Sequence, residues 1–198
     1  MMSAKILRIA DYRRMRWKNG GGWTTELAAS ASEADGSAFD WRISIAEIES
    51  SGAFSNFPGC DRHIALLDGP GMELQVGSGD PLRLDQRLRF VRFAGEEQTY
   101  GRLLGGAVRD FNVIVRRDAV RAEVLHRPLV GPMVFLPEAA TTWFVYLVAG
   151  QATLKDVAGM QLEAGESLLL QSGDAPRTRV LGGGGEVVLV KLTTAGPR

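Results

Sequence analysis

Short apolar or alternating runs of residues follow one another along the chain, and each is bounded by Gly, Pro, Asp or Ser. Such runs are typical of the strands of a β-sandwich or barrel. Helical periodicity is scarce, since LPEAAT predicts at most one turn of helix and IADYRRMRW is ambiguous. The pattern therefore predicts a mostly antiparallel, all-β protein. The predicted strands lie in FDWRISIAEIE, HIALLDGPGMELQV, RLRFVRFAG, FNVIVRR, AVRAEVLHR, TTWFVYLVAG, ESLLLQSG and EVVLVKL.

A unit of strand, glycine turn and strand occurs twice in the chain. HIALLDGPGMEL turns at Gly69 and WFVYLVAGQATL turns at Gly150. This recurrence is typical of the antiparallel jelly-roll barrel called a cupin. We predict a bicupin, two RmlC-like cupin jelly-roll barrels in one chain, with one half in residues 1–125 and the other in residues 126–198. Strands are free to exchange between the halves. The glycine run at residues 182–185 predicts a flexible loop between two strands.

Composition and charge exclude some classes of partner. The 198 residues are 45% hydrophobic, which is ordinary for a globular protein. Lys plus Arg and Asp plus Glu number 23 each, so no overall field attracts nucleic acid or an anionic membrane. The sequence has neither a signal-peptide pattern at its N-terminus nor a bilayer-length apolar segment. Its single cysteine, Cys60, fits a reducing compartment. We expect a cytoplasmic protein without nucleic-acid or membrane partners.

The segment WKNGGGWTTEL carries three consecutive glycines and resembles a phosphate loop at first sight. A Walker loop, however, has its lysine after the last glycine, whereas Lys18 precedes this triplet. A dinucleotide fingerprint belongs in a strand–helix–strand unit, which this sequence lacks. Two interpretations remain. The glycines form a bend into the first sheet, or they leave room for a ligand beside Trp17, Asn19 and Thr24.

Metal and nucleophile chemistry are poorly supported by the sequence. Cupin metal sites combine two or three histidines with a glutamate at close spacing. This chain has only His63 and His126, and neither has a histidine partner nearby in the sequence. Cys60 precedes His63 by three residues, but their side chains would diverge on an extended strand. No G-x-S-x-G motif is present. We predict no metal site and no cofactor.

Polar residues alternate with apolar ones on two predicted strands. Arg42 and Ser44 share one face of the first strand, and Asp110 and Asn112 share one face of the other. These faces either meet solvent or line a pocket. Nearby, FSNFPGCDR adds an aromatic–proline corner with Arg62. Arginine suits a carboxylate because its planar fork presents paired N–H donors.

Together these segments resemble the HutD/Ves family. The matching pieces are WKNGGGWTTEL, FDWRISIAEIESSGAFSNFPGCDRHIALLDGPGMEL, VRDFNVIVRR and the C-terminal LVAGQATL and LEAGES. The most diagnostic is W-R-[IV]-S followed by F-S-x-F-P-G-x-[DE]-R. The resemblance implies a bicupin fold, a link to bacterial histidine utilisation, and no defined biochemical activity.

Carried onto this chain, the family motifs imply a ligand-binding pocket with three parts. One wall comprises Trp17, Asn19, Gly20, Gly21, Gly22 and Thr24. A second wall comprises Arg42 and Ser44. The pocket is closed by Phe57, Arg62, Asp110 and Asn112. On this interpretation the glycine triplet lines the pocket, and the N-terminal half carries the site.

Two functions follow from such a pocket. The first is a metal-free bicupin that binds a small anionic metabolite, of the urocanate or N-formylglutamate type, and regulates histidine utilisation. The alternative is a metal-independent cupin enzyme, an isomerase or hydrolase of a small carboxylate, with Asp110 as general base. One carboxylate and one guanidinium in a cleft serve either purpose, so the sequence does not separate them. We favour binding over catalysis. A purely structural protein is disfavoured by the polar strand faces, and a homodimer is compatible with the sequence.

Overall fold

The computed structural model describes residues 3–30, 39–157, 159–172 and 177–195. Within these ranges the chain forms seventeen β-strands and one 3₁₀ turn, Ile9–Asp11, and contains no α-helix. The all-β prediction is therefore confirmed. The predicted apolar runs contain strands because each run is short and bounded by turn residues. The predicted turn at Gly150 is wrong, since Thr141–Leu154 forms one continuous strand.

The strands are numbered in chain order. They are β1 (Ser3–Leu7), β2 (Arg13–Arg16), β3 (Gly22–Ala29), β4 (Trp41–Ile48), β5 (Gly52–Ala53), β6 (Cys60–Asp68), β7 (Met72–Val76), β8 (Leu82–Leu84), β9 (Val91–Ala94), β10 (Thr99–Leu103), β11 (Val108–Arg116), β12 (Val120–Val130), β13 (Met133–Phe135), β14 (Thr141–Leu154), β15 (Gln161–Glu163), β16 (Ser167–Gln171) and β17 (Arg179–Thr194).

The chain divides into two compact units. The middle unit is Tyr12–Val120, and the terminal unit combines Met1–Asp11 with Arg121–Arg198. The N-terminal residues join the terminal unit because β1 pairs antiparallel with β16, from Ser3 opposite Gln171 to Leu7 opposite Ser167. The predicted barrel boundary between residues 125 and 126 remains a prediction, since compactness alone does not define a cupin barrel.

The middle unit is built from two antiparallel sheets. One has the order β2-β3-β4-β11-β6-β9, and the other has the order β5-β10-β7-β8. The face of each sheet that carries the shared apolar core is called the inward face here. The core cluster comprises Ala46, Ile48, Ile64, Leu66, Met72, Leu74, Leu84, Phe93 and Val108. Because these residues come from strands of both sheets, the core fixes the position of the inward faces.

The strands β4 and β11 lie next to each other in the six-stranded sheet and are buried on both faces. Asn112 pairs with Ser44, and Asp110 pairs with Ala46. Ser44, Asp110 and Asn112 are 4%, 0% and 5% exposed. The interpretation that these polar faces meet solvent is therefore excluded. Ile43, on the opposite face of β4, is also inaccessible. The β4 positions that alternate with Arg42 and Ser44 are apolar because that face is buried too.

The terminal unit is organised around two long strands, β14 and β17. Its sheet has the order β1-β16-β14-β17-β12, with β13 added to β17 and β15 added to β14. The core of this unit comprises Leu129, Phe135, Val145, Leu147, Ala152, Leu154, Leu162, Leu168, Leu170, Leu181, Val187 and Leu189. No helix among the described residues is long and apolar enough to cross a membrane.

The glycine run at residues 182–185 corrects the sequence prediction. It lies inside β17 and pairs with β14, with Gly185 opposite Gly150 and Gly183 opposite Ala152. A Cβ on Gly183 would lie 2.2 Å from the carbonyl oxygen of Gln151. The glycines thus allow two backbones to approach closely within a sheet. The loop prediction was wrong because composition does not distinguish this use of glycine from flexibility.

Candidate functional site

A cavity of about 490 Å³ lies on the inward face of the six-stranded sheet of the middle unit. This volume is typical of sites for small molecules. It is lined by residues of strands β2, β3, β4, β6 and β11 of this sheet, by the turn after β2 and by the segment around residues 53–57. The lining residues are Met15, Arg16, Trp17, Lys18, Asn19, Thr24, Arg42, Ser44, Ala46, Ala53, Phe54, Ser55, Phe57, Arg62, Asn112 and Ile114.

The structure brings together most of the residues predicted for the site. The predicted residues that line the cavity are Trp17, Asn19, Thr24, Arg42, Ser44, Phe57, Arg62 and Asn112. Those that do not line it are Gly20, Gly21, Gly22 and Asp110. The lining residues of β4 and β11 meet in one place because alternation aims every second side chain of these strands to the same side of the sheet. Their role in ligand binding remains a prediction.

The glycine triplet forms the turn between β2 and β3, which corrects its predicted place in the cavity wall. The turn is closed by hydrogen bonds from Gly20 N to Trp17 O and from Trp17 N to Gly22 O, both 3.0 Å. Gly20 has φ +73°, a conformation that favours glycine. A Cβ on Gly22 would lie 2.2 Å from Glu47 O. The triplet therefore serves the turn and the close contact between β3 and β4.

The turn positions one aromatic wall of the cavity. The indole Nε1 of Trp17 donates a 2.7 Å hydrogen bond to Thr24 Oγ1, which fixes the ring against β3. Asn19 Oδ1 accepts a 3.0 Å hydrogen bond from Gly21 N. Both side chains line the cavity, so the glycines act on the site indirectly, by holding these two residues in place.

Arg42 already has an anionic partner. Its Nε donates to Glu26 Oε2 at 2.8 Å, and the two side chains are 18% and 27% exposed. The pairing follows from the sheet, because Ala29 lies opposite Arg42 and the neighbouring β3 residue Glu26 lies opposite Ser44. Part of the charge of Arg42 is thus neutralised within the protein.

Arg62 is the most deeply buried cation of the cavity lining, at 4% exposed. Its guanidinium carbon lies 5.2 Å, 5.5 Å and 5.3 Å from the ring centroids of Phe54, Phe57 and Phe93. Its Nη1 donates to Ser55 O at 3.2 Å. Its Nε is buried and has no hydrogen-bond partner among the described residues. Burial lowers the pKa of Arg62 to about 10, with Asp110 opposing this effect and Arg42 adding to it. Arg62 therefore remains charged at neutral pH.

Asp110 is two residues before Asn112, on the same face of β11, but it does not line the cavity. Its side chain is fully inaccessible. Neither carboxylate oxygen has a hydrogen-bond partner in the described part of the chain. Burial raises the pKa of Asp110 to about 7, and the charge of Arg62 opposes this shift. The prediction that Asp110 closes the cavity is corrected, because its side chain is fully covered and does not line the cavity. Its cross-strand neighbours are the apolar residues Ala46 and Leu66.

Several lining residues were missed by sequence reasoning. They are Met15, Arg16, Lys18, Ala46, Ala53, Phe54, Ser55 and Ile114. Ala46 and Ile114 continue the alternation of the predicted faces, so this signal was available. The residues around Phe54 had no such signal, because an irregular segment between two strands shows no periodicity.

The histidines and the cysteine lie outside the cavity lining. Burial lowers the pKa of His63 to about 4, with Arg92 adding to the effect and Asp61 opposing it. His126 Nε2 lies 3.1 Å from Glu186 Oε1 in the terminal unit. Burial also raises the pKa of the Cys60 thiol, with Arg117 opposing it, which disfavours the nucleophilic thiolate. Within the described ranges, no three His, Cys, Asp or Glu side chains lie close enough together to hold a metal ion.

The charged side chains that line the cavity are all cationic. The cavity contains four cationic side chains, Arg16, Lys18, Arg42 and Arg62, and no described acidic residue or histidine lines it. Aromatic and amide groups from Trp17, Phe54, Phe57, Asn19 and Asn112 complete it. Such a cavity suits a small anion that has a flat apolar part and polar edges.

These features define an all-β protein with a cupin-like fold and a cationic cavity in one unit. The fold is shared with YhhW from Escherichia coli, at a TM-score of 0.70 and 11% identity over 99% of this chain and 100% of that chain. A much closer structure is HutD from Pseudomonas fluorescens SBW25, with a TM-score of 0.85 and 32% identity over 98% of this chain and 100% of that chain.

The sequence model of the HutD family matches residues 9–189, and the chain belongs to this family. It is 47% identical, over 63% of its length, to a 21.2 kDa protein of the hutC 3′ region of Pseudomonas putida, and spans 64% of that protein. It is 36% identical, over 71% of its length, to Protein Ves of Cronobacter sakazakii, and covers 74% of that relative. The resemblance to HutD and Ves proteins is confirmed.

Proposed function

We propose that this chain is a bicupin, with one cupin barrel in each unit, that binds a small anionic metabolite in the cavity of the middle unit. The observation that carries the proposal is the charge of the lining, which has four cations and no described carboxylate. A desolvated cation attracts an anion more strongly than an exposed one, because water screens the exposed charge.

Arg62 is the best anchor for the anion. Arg42 is paired with Glu26, and Arg16 is paired with Glu49 at 3.0 Å. Arg62 instead donates a hydrogen bond to a neutral carbonyl, that of Ser55. Three aromatic rings hold its guanidinium in place, so little side-chain entropy is lost when a carboxylate binds.

The remaining lining groups suggest the class of metabolite. Asn112 Oδ1 is buried and has no hydrogen-bond partner among the described residues, so it can accept from an N–H group of a ligand. A carboxylate with a nearby N–H or amide group matches this arrangement. Urocanate and N-formylglutamate have this chemistry, and both belong to histidine catabolism. The hutC 3′ region of the Pseudomonas putida relative supports a role in histidine utilisation.

We propose a regulatory role because the cavity has no group suited to proton transfer. None of its described lining residues is Asp, Glu or His, and the base of the catalytic alternative, Asp110, has no accessible surface. Binding without turnover can report the level of a metabolite. The protein acts in the cytoplasm on this proposal, without metal, nucleic acid or membrane, and a homodimer is compatible with it.

Calorimetric titration with urocanate and with N-formylglutamate tests the proposal, with chromatography of the ligand afterwards to detect any product. We expect one of them to bind without being converted. Arg62→Met should weaken binding at least about thirtyfold, since loss of a buried charged contact costs about 2 kcal/mol or more. Arg83→Met is the matched control, because Arg83 is an exposed β8 residue paired with Asp85.

Three outcomes would contradict the proposal. Neither metabolite binds, or Arg62→Met binds as well as the wild type, or the ligand is converted to a product. Thermal melts of both variants show whether the fold is intact. Methionine fills a volume similar to the arginine stem, so it keeps contact with the aromatic rings.

A further inference from the structure

Asp110 is a buried acid that the proposed binding mode does not use. It shares the inward face of β11 with Asn112, which lines the cavity, and it is 0% exposed. Its cross-strand neighbours are Ala46 on β4 and Leu66 on β6. Both of its oxygens are without a hydrogen-bond partner among the described residues. A buried carboxylate in such apolar surroundings is costly and calls for a reason.

Arg62 is the charged group that acts on Asp110, and Asp110 in turn acts on Arg62. On β4, the charge of Arg42 also acts on Arg62, and Glu26 of β3 partly compensates it. The core residues that the four-stranded sheet packs against this face are apolar.

The remaining charged lining residues are Arg16 and Lys18. Arg16 ends β2 and is paired with Glu49, and Lys18 lies in the turn that follows β2. His63 is on the alternate face of β6 from Arg62 and does not line the cavity. Arg62 and Asp110 share the inward face of the sheet, where Arg62 lies opposite Ile114, four residues along β11 from Asp110. Their charges act on each other through the buried interior without a direct ion pair among the described residues.

One guanidinium cannot serve two anions equally well. When Asp110 is ionised, its charge partly offsets that of Arg62, and an incoming carboxylate is held more weakly. When Asp110 is protonated, Arg62 is available to the carboxylate. Conversely, a carboxylate bound to Arg62 adds a second negative charge near Asp110 and favours its protonation.

We propose that Asp110 is a specificity-determining residue that sets the charge of the ligand, so that the cavity takes up a carboxylate anion together with one proton. This inference rests on the proposed binding of an anion at Arg62. With Asp110 ionised, the same cavity holds a carboxylate less tightly.

The ionisation of Asp110 falls in the range where this coupling matters. Burial raises its pKa to about 7 in the free protein, against the opposing effect of Arg62. A bound carboxylate raises the pKa further. Below pH 6 Asp110 is already protonated and binding takes up no proton. Above pH 7 each binding event takes up a proton, so affinity falls as the pH rises.

The test is calorimetric titration of the wild-type protein with N-formylglutamate between pH 6 and 9. Both carboxyl groups of this probe are ionised throughout that range. We expect Kd to be nearly constant near pH 6 and to rise above pH 7, approaching tenfold per pH unit. In two buffers of different ionisation enthalpy, the binding enthalpies should report uptake of about one proton at pH 8.

Asp110→Asn and Asp85→Asn are the paired variants. The neutral amide in Asp110→Asn mimics protonated Asp110, so this variant should bind with a Kd that is independent of pH and should take up no proton. Asp85 is an exposed residue paired with Arg83, and its variant should keep the pH dependence of the wild type. A pH-independent wild-type Kd, or an unchanged pH dependence in Asp110→Asn, overturns the inference and leaves the proposed function intact.

A second measurement covers the case in which Asp110→Asn does not fold. The ¹³C shifts of the aspartate carboxyl groups in the wild-type protein should include one that titrates near pH 7. Saturation with N-formylglutamate should move that titration upward by about two pH units or more, as the uptake of about one proton at pH 8 requires. If that titration does not move upward when the ligand is bound, the inference is overturned. Absence of binding by both N-formylglutamate and urocanate at every pH, including pH 6, overturns the proposed function as well.

Discussion

Three polar side chains of the middle unit, Arg62, Asp110 and Asn112, are each buried and each have an unpartnered polar atom among the described residues. Buried polar groups normally have hydrogen-bond partners, because an unmade bond costs about 1–3 kcal/mol. Departures from this rule in natural proteins concentrate at functional sites. At the scale of single residues, this cluster therefore points to the cavity above it as the site of function.

The protonation of Asp110 should be visible in the stability of the free protein. Its pKa rises from 3.8 to about 7 on folding, so the native state binds more protons than the unfolded state between these values. The free energy of unfolding should therefore fall as the pH rises from about 4 to 7, by up to about 4 kcal/mol from this group.

Denaturant unfolding of wild type and Asp110→Asn at pH 4.5 and pH 8 measures this effect. The variant should be the more stable protein at pH 8, because it lacks the buried charge, and the difference should shrink towards pH 4.5. A variant that is less stable than wild type at pH 8 would show that ionised Asp110 stabilises the fold, which contradicts the prediction.

At the scale of strands, glycine has two opposite roles in this chain. In the triplet at residues 20–22, Gly20 has a positive φ and serves a turn. In the run at residues 182–185, the glycines lie within β17 and let it approach β14. A Cβ on Gly185 would lie 1.9 Å from Ala149 O, whereas a Cβ on Gly184 would meet no atom within 4 Å. Two adjacent residues of one strand thus differ sharply in their tolerance of a side chain.

Gly185→Ala should destabilise the protein by at least about 2 kcal/mol, through the backbone clash and its φ of +142°. Gly184→Ala is the matched control and should be neutral or stabilising by up to about 1 kcal/mol, because it only reduces the entropy of the unfolded chain. Thermal and denaturant unfolding of both variants measures this. Equal effects at the two positions would mean that the close approach of β14 and β17 is unimportant for stability.

At the scale of the whole molecule, the chain combines a balanced charge with a cationic cavity. Lys plus Arg equals Asp plus Glu, at 23 each, yet the cavity lining has four cations and no described acid. The charge that matters for a small ligand is therefore local. The two histidines belong to different units, His63 to the middle unit and His126 to the terminal unit.

The purified protein should contain less than about 0.1 transition-metal ion per chain, because isolated histidines do not form a cupin metal centre. Elemental analysis measures this directly. Treatment with EDTA should leave the melting temperature and the affinity for N-formylglutamate unchanged. About one iron, manganese or zinc ion per chain, lost together with binding in His63→Gln, would contradict the prediction.

Local patterns in the sequence were enough to predict most strands and the direction of their side chains. Alternation along β4 and β11 predicted that Arg42 and Ser44 share a face, as do Asp110 and Asn112, because a strand has a period of two whatever surrounds it. The motif around Trp17 and the corner around Arg62 also contribute residues to the cavity lining. These are local properties, which depend on neighbouring residues in the chain.

Tertiary packing, in contrast, selects which of these residues meet in the cavity and what each one contacts. Only the packing of the two sheets brings Phe54 and Phe93 against Arg62, assigns Glu26 to Arg42, and leaves Asp110 beneath the cavity with no accessible surface. The sequence predicted a loop at residues 182–185, which was wrong because the role of these glycines depends on β14, some thirty residues earlier. Burial, charge pairing and close backbone approach involve residues distant in the chain, and local patterns carry no information about such contacts.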